Sequence, residues 1–91
     1  MDFERLKALL EEQETFPHDF TIKFIGANSP AFLGGVRSLE ARFPELKKQG
    51  ERRSANDSNL ALTYVLIAED ADEIIEVLKE VHRIPDVKVI L

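Results

Sequence analysis

The segment from Phe16 to Pro30, FPHDFTIKFIGANSP, constrains the fold more than any other part of the chain. Phe16-Pro17 ends any preceding helix, because a proline forces the residue before it into extended geometry. Apolar and polar positions then alternate with a period of two, which predicts a strand with one strongly apolar face. We expect the core side of this strand to be formed by Phe20, Ile22 and Phe24.

The same segment predicts the start of a helix. Gly26 closes the strand, Ser29 is a typical N-cap, and a proline suits the first helical position, so we expect a helix from about Pro30 to Phe43. Its apolar stripe consists of Phe32, Val36, Leu39 and Phe43. Gly34-Gly35 inside the helix costs about 1 kcal/mol per glycine relative to alanine. We therefore expect close approach of this helix to the sheet, with a ligand contact as the alternative.

The remaining elements follow from periodicity and caps. The spacing of apolar residues over 3–13 predicts an amphipathic helix with Asp2 as its N-cap. We expect this helix to pack beside the core or against a copy of itself. The polar segment 45–59 predicts an edge strand near 46–53 and a turn. Leu60–Ala68 is apolar at nearly every position, so we expect a central strand buried on both faces or nearly so. Asp70 then begins a helix that ends near His82, and Val87–Leu91 forms the last strand.

This order predicts an α+β fold, the ferredoxin-like βαββαβ plait, preceded by a helix. Right-handed crossovers place the first and third strands in the middle of a four-stranded antiparallel sheet with two helices on one face. We expect a single domain, with an N-terminal amphipathic helix in residues 1–15 and the plait in residues 16–91.

Composition excludes several classes of function. The chain has 91 residues, with no cysteine, so a disulfide framework, a zinc ribbon and a thiol nucleophile are excluded. Its two histidines lack partners at metal-ligand spacing, and we expect no metal, no cofactor and no catalytic residues, hence no enzyme. The net charge of -5 argues against nucleic-acid binding. We expect a cytoplasmic protein, because the sequence shows neither a signal peptide nor a membrane span.

Several motifs resemble those of the YbeD-like proteins, a family of small bacterial proteins of unknown function. They are Phe16-Pro17, Phe20, Ile22-Lys23, Gly26, Pro30, Phe32 and the closing segment Leu78 to Leu91. The resemblance implies the family's fold, a ferredoxin-like plait similar to ACT regulatory domains. It implies no catalytic residues.

Two surfaces are candidate sites. ACT domains bind effectors near the turn after the first strand, so the resemblance implies a ligand site at Gly26, Asn28 and Ser29, where backbone N–H groups meet the start of a helix. The sheet face opposite the helices is the second candidate. We expect an apolar interaction surface there, formed by Ile25, Val65, Ile67 and Ile90. The residues leave open whether the N-terminal helix of the same chain or a second subunit covers this face.

These surfaces lead to three hypotheses. The first is a non-enzymatic regulatory or protein-interaction module, homodimeric or partner-binding through the open sheet face. The second is an ACT-like sensor of a small metabolite at the first strand-helix turn. The third, RNA binding on the sheet, is disfavoured because the aromatic residues Phe20, Phe24 and Tyr64 are expected on the helix side. The basic segment from Lys47 to Arg53 is either a guard against edge pairing or a surface for an anionic partner.

Overall fold

Three helices and four strands follow one another in the order that the sequence predicts. The computed structural model describes all 91 residues. The elements are helix α1 (Phe3–Gln13), strand β1 (His18–Ala27), helix α2 (Pro30–Arg42), strand β2 (Lys47–Arg53), strand β3 (Asn59–Ala68), helix α3 (Ala71–Arg83) and strand β4 (Val87–Ile90).

The strands form one antiparallel sheet in the order β2-β3-β1-β4. The central ladder joins β1 to β3 without interruption, from His18 opposite Ala68 to Ala27 opposite Asn59. This order, together with the alternation of strands and helices, confirms the ferredoxin-like plait with an additional N-terminal helix. The first and third strands of the chain are the inner pair, as expected.

The helices begin where the sequence places their caps. Asp2, Ser29 and Asp70 each accept a hydrogen bond from the backbone N–H three residues later, at 3.0, 3.2 and 3.0 Å. Each bond satisfies one of the backbone donors that the first turn of a helix leaves without a partner. The local sequence therefore determines the start of all three helices.

The core lies between the sheet and the helices, and comprises 19 buried apolar residues. The even-numbered residues of β1 and β3 point into it, and Phe24 stacks on Tyr64 with ring centroids 6.0 Å apart. Ile22 and Phe24 are buried as predicted, whereas Phe20 is half-buried at the edge of the core.

Strand β3 is not buried on both faces, which corrects the expectation from its apolar composition. Its even-numbered residues are buried, but its odd-numbered residues from Asn59 to Val65 are half-buried and Ile67 is 61% exposed. The physical reason is the position of α1. This helix does not pack across the sheet, so the second face of β3 has no covering layer.

Helix α1 packs on α3. Lys7 Nζ lies 2.8 Å from Asp72 Oδ1, and the ring of Phe3 meets His82 edge-on at 5.5 Å. The hydrogen bond and charge of Asp72 raise the pKa of the Lys7 amine above 10.5. Leu10 extends from α1 into the core. Helix α1 therefore belongs to the helix layer, and the sheet face opposite the helices, called the open face below, is left uncovered.

The two adjacent glycines of α2 differ in their surroundings. A Cβ on Gly35 would lie 2.7 Å from Ile84 Cγ2 and 3.2 Å from Pro85 Cδ, whereas a Cβ on Gly34 would meet nothing within 4 Å. The expected close approach to the sheet is therefore wrong for both glycines, because only Gly35 has a close neighbour. The neighbour is the segment that follows α3 and not the sheet.

Candidate functional site

The space beside Gly26, the first residue of the predicted ligand turn, is filled by the ring of Phe32. A Cβ at this position would lie 2.1 Å from Phe32 Cε1. The Phe32 ring is fully buried and meets Phe24 edge-on, with ring centroids 6.1 Å apart. Glycine is therefore required here so that the ring of α2 can lie directly on the backbone of β1.

The other two residues of the turn hold distant parts of the chain together. Asn28 Nδ2 donates to the carbonyl of Asp57 at 2.9 Å, and the Asn28 backbone N–H donates to the carbonyl of Ser58 at 3.0 Å. The Ser29 hydroxyl donates to Asp86 Oδ2 at 2.7 Å. The ligand site at Gly26, Asn28 and Ser29 stays a prediction, but its side chains already bind groups of the chain itself.

Asp86 supplies a carboxylate beside the start of α2, where the helix dipole favours negative charge. Its carbonyl also accepts a hydrogen bond from the Ala27 N–H at 3.0 Å, and its backbone is left-handed, with φ 64°. The segment between α3 and β4 is thus attached to the turn after β1 by both backbone and side chain.

Replacing Asp86 by alanine is expected to lower the free energy of unfolding by about 2 kcal/mol. About half of this loss comes from the missing hydrogen bond to Ser29. The rest arises because alanine, unlike aspartate, has no polar side chain that offsets the steric cost of a left-handed backbone. Asp86→Gly is the matched control, because it loses the same hydrogen bond but tolerates the backbone conformation. In urea denaturation the wild type should be the most stable, Asp86→Gly less stable and Asp86→Ala the least stable. Equal stability of the two variants would contradict a cost of the left-handed backbone at this position.

The second predicted site, on the open face, is defined by the strand register. Residues directly opposite each other in neighbouring strands share a face. On β3 the open-face positions form an uncharged strip, consisting of Ala61, Thr63, Val65 and Ile67. Ile25 lies opposite Ala61, so Ile25, Val65 and Ile67 are on the open face as predicted.

Ile90, the fourth predicted residue, is not on the open face. It lies opposite Phe24, a core residue, and packs against the core. Val89 lies opposite Ile25 instead and is 43% exposed on the open face. The physical reason is a register shift between Ile25 and Gly26, which breaks simple alternation along β4 so that Val87 and Ile90 both pack against the core. Sequence alternation alone carries no signal of such a bulge.

The apolar residues of the open face form two clusters. Ile25, Ala61 and Val89 lie side by side across three strands at one end. Val65 and Ile67 lie at the other end, and the four residue steps from Ala61 to Val65 correspond to about 14 Å along the strand. Thr63 and Lys23, opposite each other, separate the two clusters.

Basic residues line the uncharged strip on both sides. On the β2 side, Arg52 lies opposite Ala61 and Lys47 opposite Val65. On the other side, Lys23 lies on β1, and Lys88 on β4 reaches across β1 to donate to Asn59 Oδ1 at 2.6 Å. These four residues are called the basic flanks below.

None of the basic flanks forms an ion pair, since the ion pairs of the chain involve other cationic groups. Lys48 is an instructive contrast. It lies on the opposite side of β2, across from Tyr64, and pairs with Glu51, whose pKa it lowers by a hydrogen bond and by its charge. The strands place one acidic residue, Asp19, among the paired positions of the open face, although the chain as a whole carries 17 acidic and 12 basic residues.

A shallow cavity of about 290 Å³ lies at one end of the open face. Its apolar lining is Ile25 and Ala61, and its polar lining is Arg52, Arg53, Ser54 and Asn59. The Ser54 hydroxyl accepts a hydrogen bond from the Asn59 backbone N–H at 3.0 Å, which closes the hairpin beside the cavity. The arrangement suits a group that combines an apolar body with a negative charge.

Two titratable groups elsewhere, His18 and Tyr64, each have one polar side-chain partner. His18 Nδ1 lies 3.5 Å from Glu14 Oε2, while Asp19, its neighbour on β1, points to the opposite face of the strand. Burial, and secondly a 2.6 Å hydrogen bond donated to Glu40 Oε2, raise the pKa of Tyr64 well above its ordinary value of 10.0. The structure contains no group of three or more His, Cys, Asp or Glu side chains that could hold a metal ion.

None of the three helices is long and apolar enough to cross a membrane.

Comparison with known proteins identifies the family but not an activity. Neither a search of curated proteins nor a search of solved structures returned a significant match. A family model described as a protein of unknown function, DUF493, matches residues 11–91, which is most of the chain. The resemblance to the YbeD-like proteins is consistent with this match. The chain therefore belongs to DUF493, a family of proteins of unknown function.

Proposed function

We propose that this chain is a cytoplasmic, non-enzymatic protein-interaction module, and that its binding surface is the open face of the sheet. The observation that carries the proposal is the position of α1 on α3, which leaves Ile67 61% exposed and Val89 43% exposed. Large exposed apolar side chains that share one face of a fold are typical of an interaction surface.

The arrangement of the titratable residues supports a non-enzymatic role. General acid-base or nucleophilic catalysis needs a base within hydrogen-bonding reach of a nucleophile or substrate proton. His82 packs edge-on against Phe3, and His18 has Glu14 as its ionisable neighbour. Neither histidine is hydrogen-bonded to a hydroxyl group that it would activate.

Charge favours a different protein over a second copy as the partner. A two-fold symmetric pair joined through the open faces would bring the basic flanks of both copies into one interface, with only Asp19 of each copy to offset them. Juxtaposed like charges disfavour association. A homodimer with a regulatory role is therefore the competing form of this proposal.

Two single substitutions of exposed apolar residues, one on the open face and one elsewhere, test whether the open face is the binding surface. Ile67→Lys changes the open face, and Leu9→Lys makes the same kind of change on α1, where Leu9 is 42% exposed. Tagged wild-type, Ile67→Lys and Leu9→Lys proteins would be used to isolate partners from cell extract, after thermal unfolding has confirmed that both variants fold. We expect Ile67→Lys alone to lose the proteins that the wild type retains.

Retention of the same proteins by Ile67→Lys would contradict the proposal. Sedimentation of the purified chain addresses the competing form: a dimer that Ile67→Lys dissociates and Leu9→Lys does not would show that the partner is a second copy.

The metabolite-sensing alternative is a proposal with less support. Asn28 and Ser29, which it would use, donate to Asp57 and Asp86 within the chain. A ligand at this turn would have to displace those contacts. Thermal stabilisation by an amino acid or acidic metabolite, lost in Asn28→Ala, would support it.

A further inference from the structure

We propose that the open face receives an acidic amphipathic helix of a partner protein. This inference rests on the proposed function and specifies the chemistry of the partner. The apolar stripe of the partner helix would lie on the uncharged strip of β3, and carboxylates on both sides of the stripe would pair with the basic flanks.

The dimensions of the uncharged strip suit one helix. From Ala61 to Ile67 the strip is about 20 Å long, which equals the length of roughly 13 helical residues. The basic residues on β2 and on β1 are one strand away on either side, so their Cα atoms are separated by roughly 10 Å across the strip. A helix with its side chains has a diameter of about 10–12 Å, and its two polar edges would therefore lie over the two rows of basic residues.

The two ends of the strip provide apolar contacts within reach of one helix. The clusters around Ile25 and around Val65 are about 14 Å apart, or roughly nine helical residues. Residues on one side of a helix recur after about seven or eleven residues, or about 11 and 16 Å, and these distances bracket the separation of the clusters. Leucines two or three turns apart would therefore reach both clusters. The cavity beside Ile25 and Ala61 accommodates one of these side chains and places Arg52 at its rim.

The charges identify the polar edges of the partner as acidic. Lys23, Lys47, Arg52 and Lys88 have no carboxylate partner within the chain, whereas Lys7, Lys48 and Lys79 on other surfaces do. The acidic residues of this chain are concentrated on the helices, including the first turn of α3. An acidic partner is thus attracted to the open face and repelled by the helix layer, which orients the complex.

Single-stranded RNA fits this surface less well. Proteins that bind single strands on a sheet stack the bases on exposed aromatic side chains. None of the paired positions of the open face carries an aromatic side chain, while Phe24 and Tyr64 are buried on the helix side. The net charge of -5 also weakens attraction to a polyanion larger than the face itself.

The test uses a fluorescein-labelled peptide of about 20 residues, long enough to form a helix, with leucines along one stripe and glutamates on both sides of it. The matched probes are the same peptide with lysine in place of glutamate, and labelled oligouridine. Fluorescence anisotropy with the full chain should show binding of the acidic peptide at least about tenfold tighter than either control. Binding should weaken in about 1 M salt, where the Debye length is roughly 3 Å.

Two double variants with the same change in net charge locate the site. Lys47→Glu with Arg52→Glu reverses the charge of the two basic flanks on β2. Arg5→Glu with Arg37→Glu makes an equal change of charge on exposed positions of α1 and α2. We expect the first double variant to weaken binding of the acidic peptide by at least about tenfold and the second by less than about twofold.

If the two double variants weakened binding of the acidic peptide equally, the proposed site would be overturned. If oligouridine bound more tightly than the acidic peptide, the proposal of a protein partner would be overturned in favour of RNA. Failure of the acidic peptide to bind would overturn this inference alone. The proposed function would still stand if Ile67→Lys lost partners from cell extract that Leu9→Lys retained, so the two failures are distinguishable.

Discussion

Replacing Gly26 by alanine is expected to lower the free energy of unfolding by about 3 kcal/mol, the upper range for overpacking a core. The new Cβ would lie 2.1, 2.3 and 2.7 Å from three atoms of the Phe32 ring. The ring cannot turn aside without cost, because it is fully buried and packs edge-on against Phe24. Urea denaturation of the purified chain measures the loss.

Two further variants make this prediction specific. A Cβ on Gly50, in β2, would meet nothing within 4 Å, so Gly50→Ala is the matched control and should change stability by less than about 0.5 kcal/mol. Phe32→Leu replaces the ring with a smaller aliphatic side chain, so the double variant with Gly26→Ala should lose about 1 kcal/mol less than the sum of the single losses. Strict additivity, or equal effects of the two alanine substitutions, would show that the contact with Phe32 does not determine the need for glycine.

The adjacent glycines of α2 should respond in opposite directions to the same substitution. Gly34→Ala is expected to stabilise the protein by about 0.5–1 kcal/mol, because alanine is the better helix former and its Cβ would be in open space. Gly35→Ala has the same helical advantage, but its Cβ would lie 2.7 Å from Ile84 Cγ2. We expect a net loss of about 1–2 kcal/mol.

Thermal and urea unfolding of the two variants measure the difference, with each acting as the control for the other. Combining Gly35→Ala with Ile84→Ala should partly relieve the clash, so the double variant should be more stable than the sum of the single effects. If Gly35→Ala stabilised the protein as much as Gly34→Ala, the close approach of α2 to the segment after α3 would be wrong.

Much of the fold was predictable because the relevant signals are local. The N-caps Ser29 and Asp70 act on backbone groups three residues away, and the alternation in β1 depends on consecutive residues. Right-handed crossovers then leave few topologies for a βαββαβ order. Prediction was weaker for the role of a glycine. The ring of Phe32 lies against Gly26, whereas a Cβ on Gly34 would meet nothing within 4 Å, and the residues next to these glycines in the sequence indicate neither environment.

The candidate site was predictable only in part. Ile25, Val65 and Ile67 were assigned to the correct face because β1 and β3 pair without a bulge. Ile90 was assigned to the wrong face and Val89 was missed, because a register shift between β1 and β4 reverses the expected alternation. The basic flanks were also missed as a group, since they come from three strands that are separated in the sequence.

The sequence by itself determined the order of elements, the helix starts and the existence of a sheet with one face turned away from two helices. Only the tertiary structure decided that α1 packs on α3, that Val89 replaces Ile90 on the open face, and that Lys23, Lys47, Arg52 and Lys88 surround an uncharged strip. The physical reason is range. Caps and periodicity act within one or two turns, whereas helix docking, strand register and surface charge depend on residues far apart in the chain.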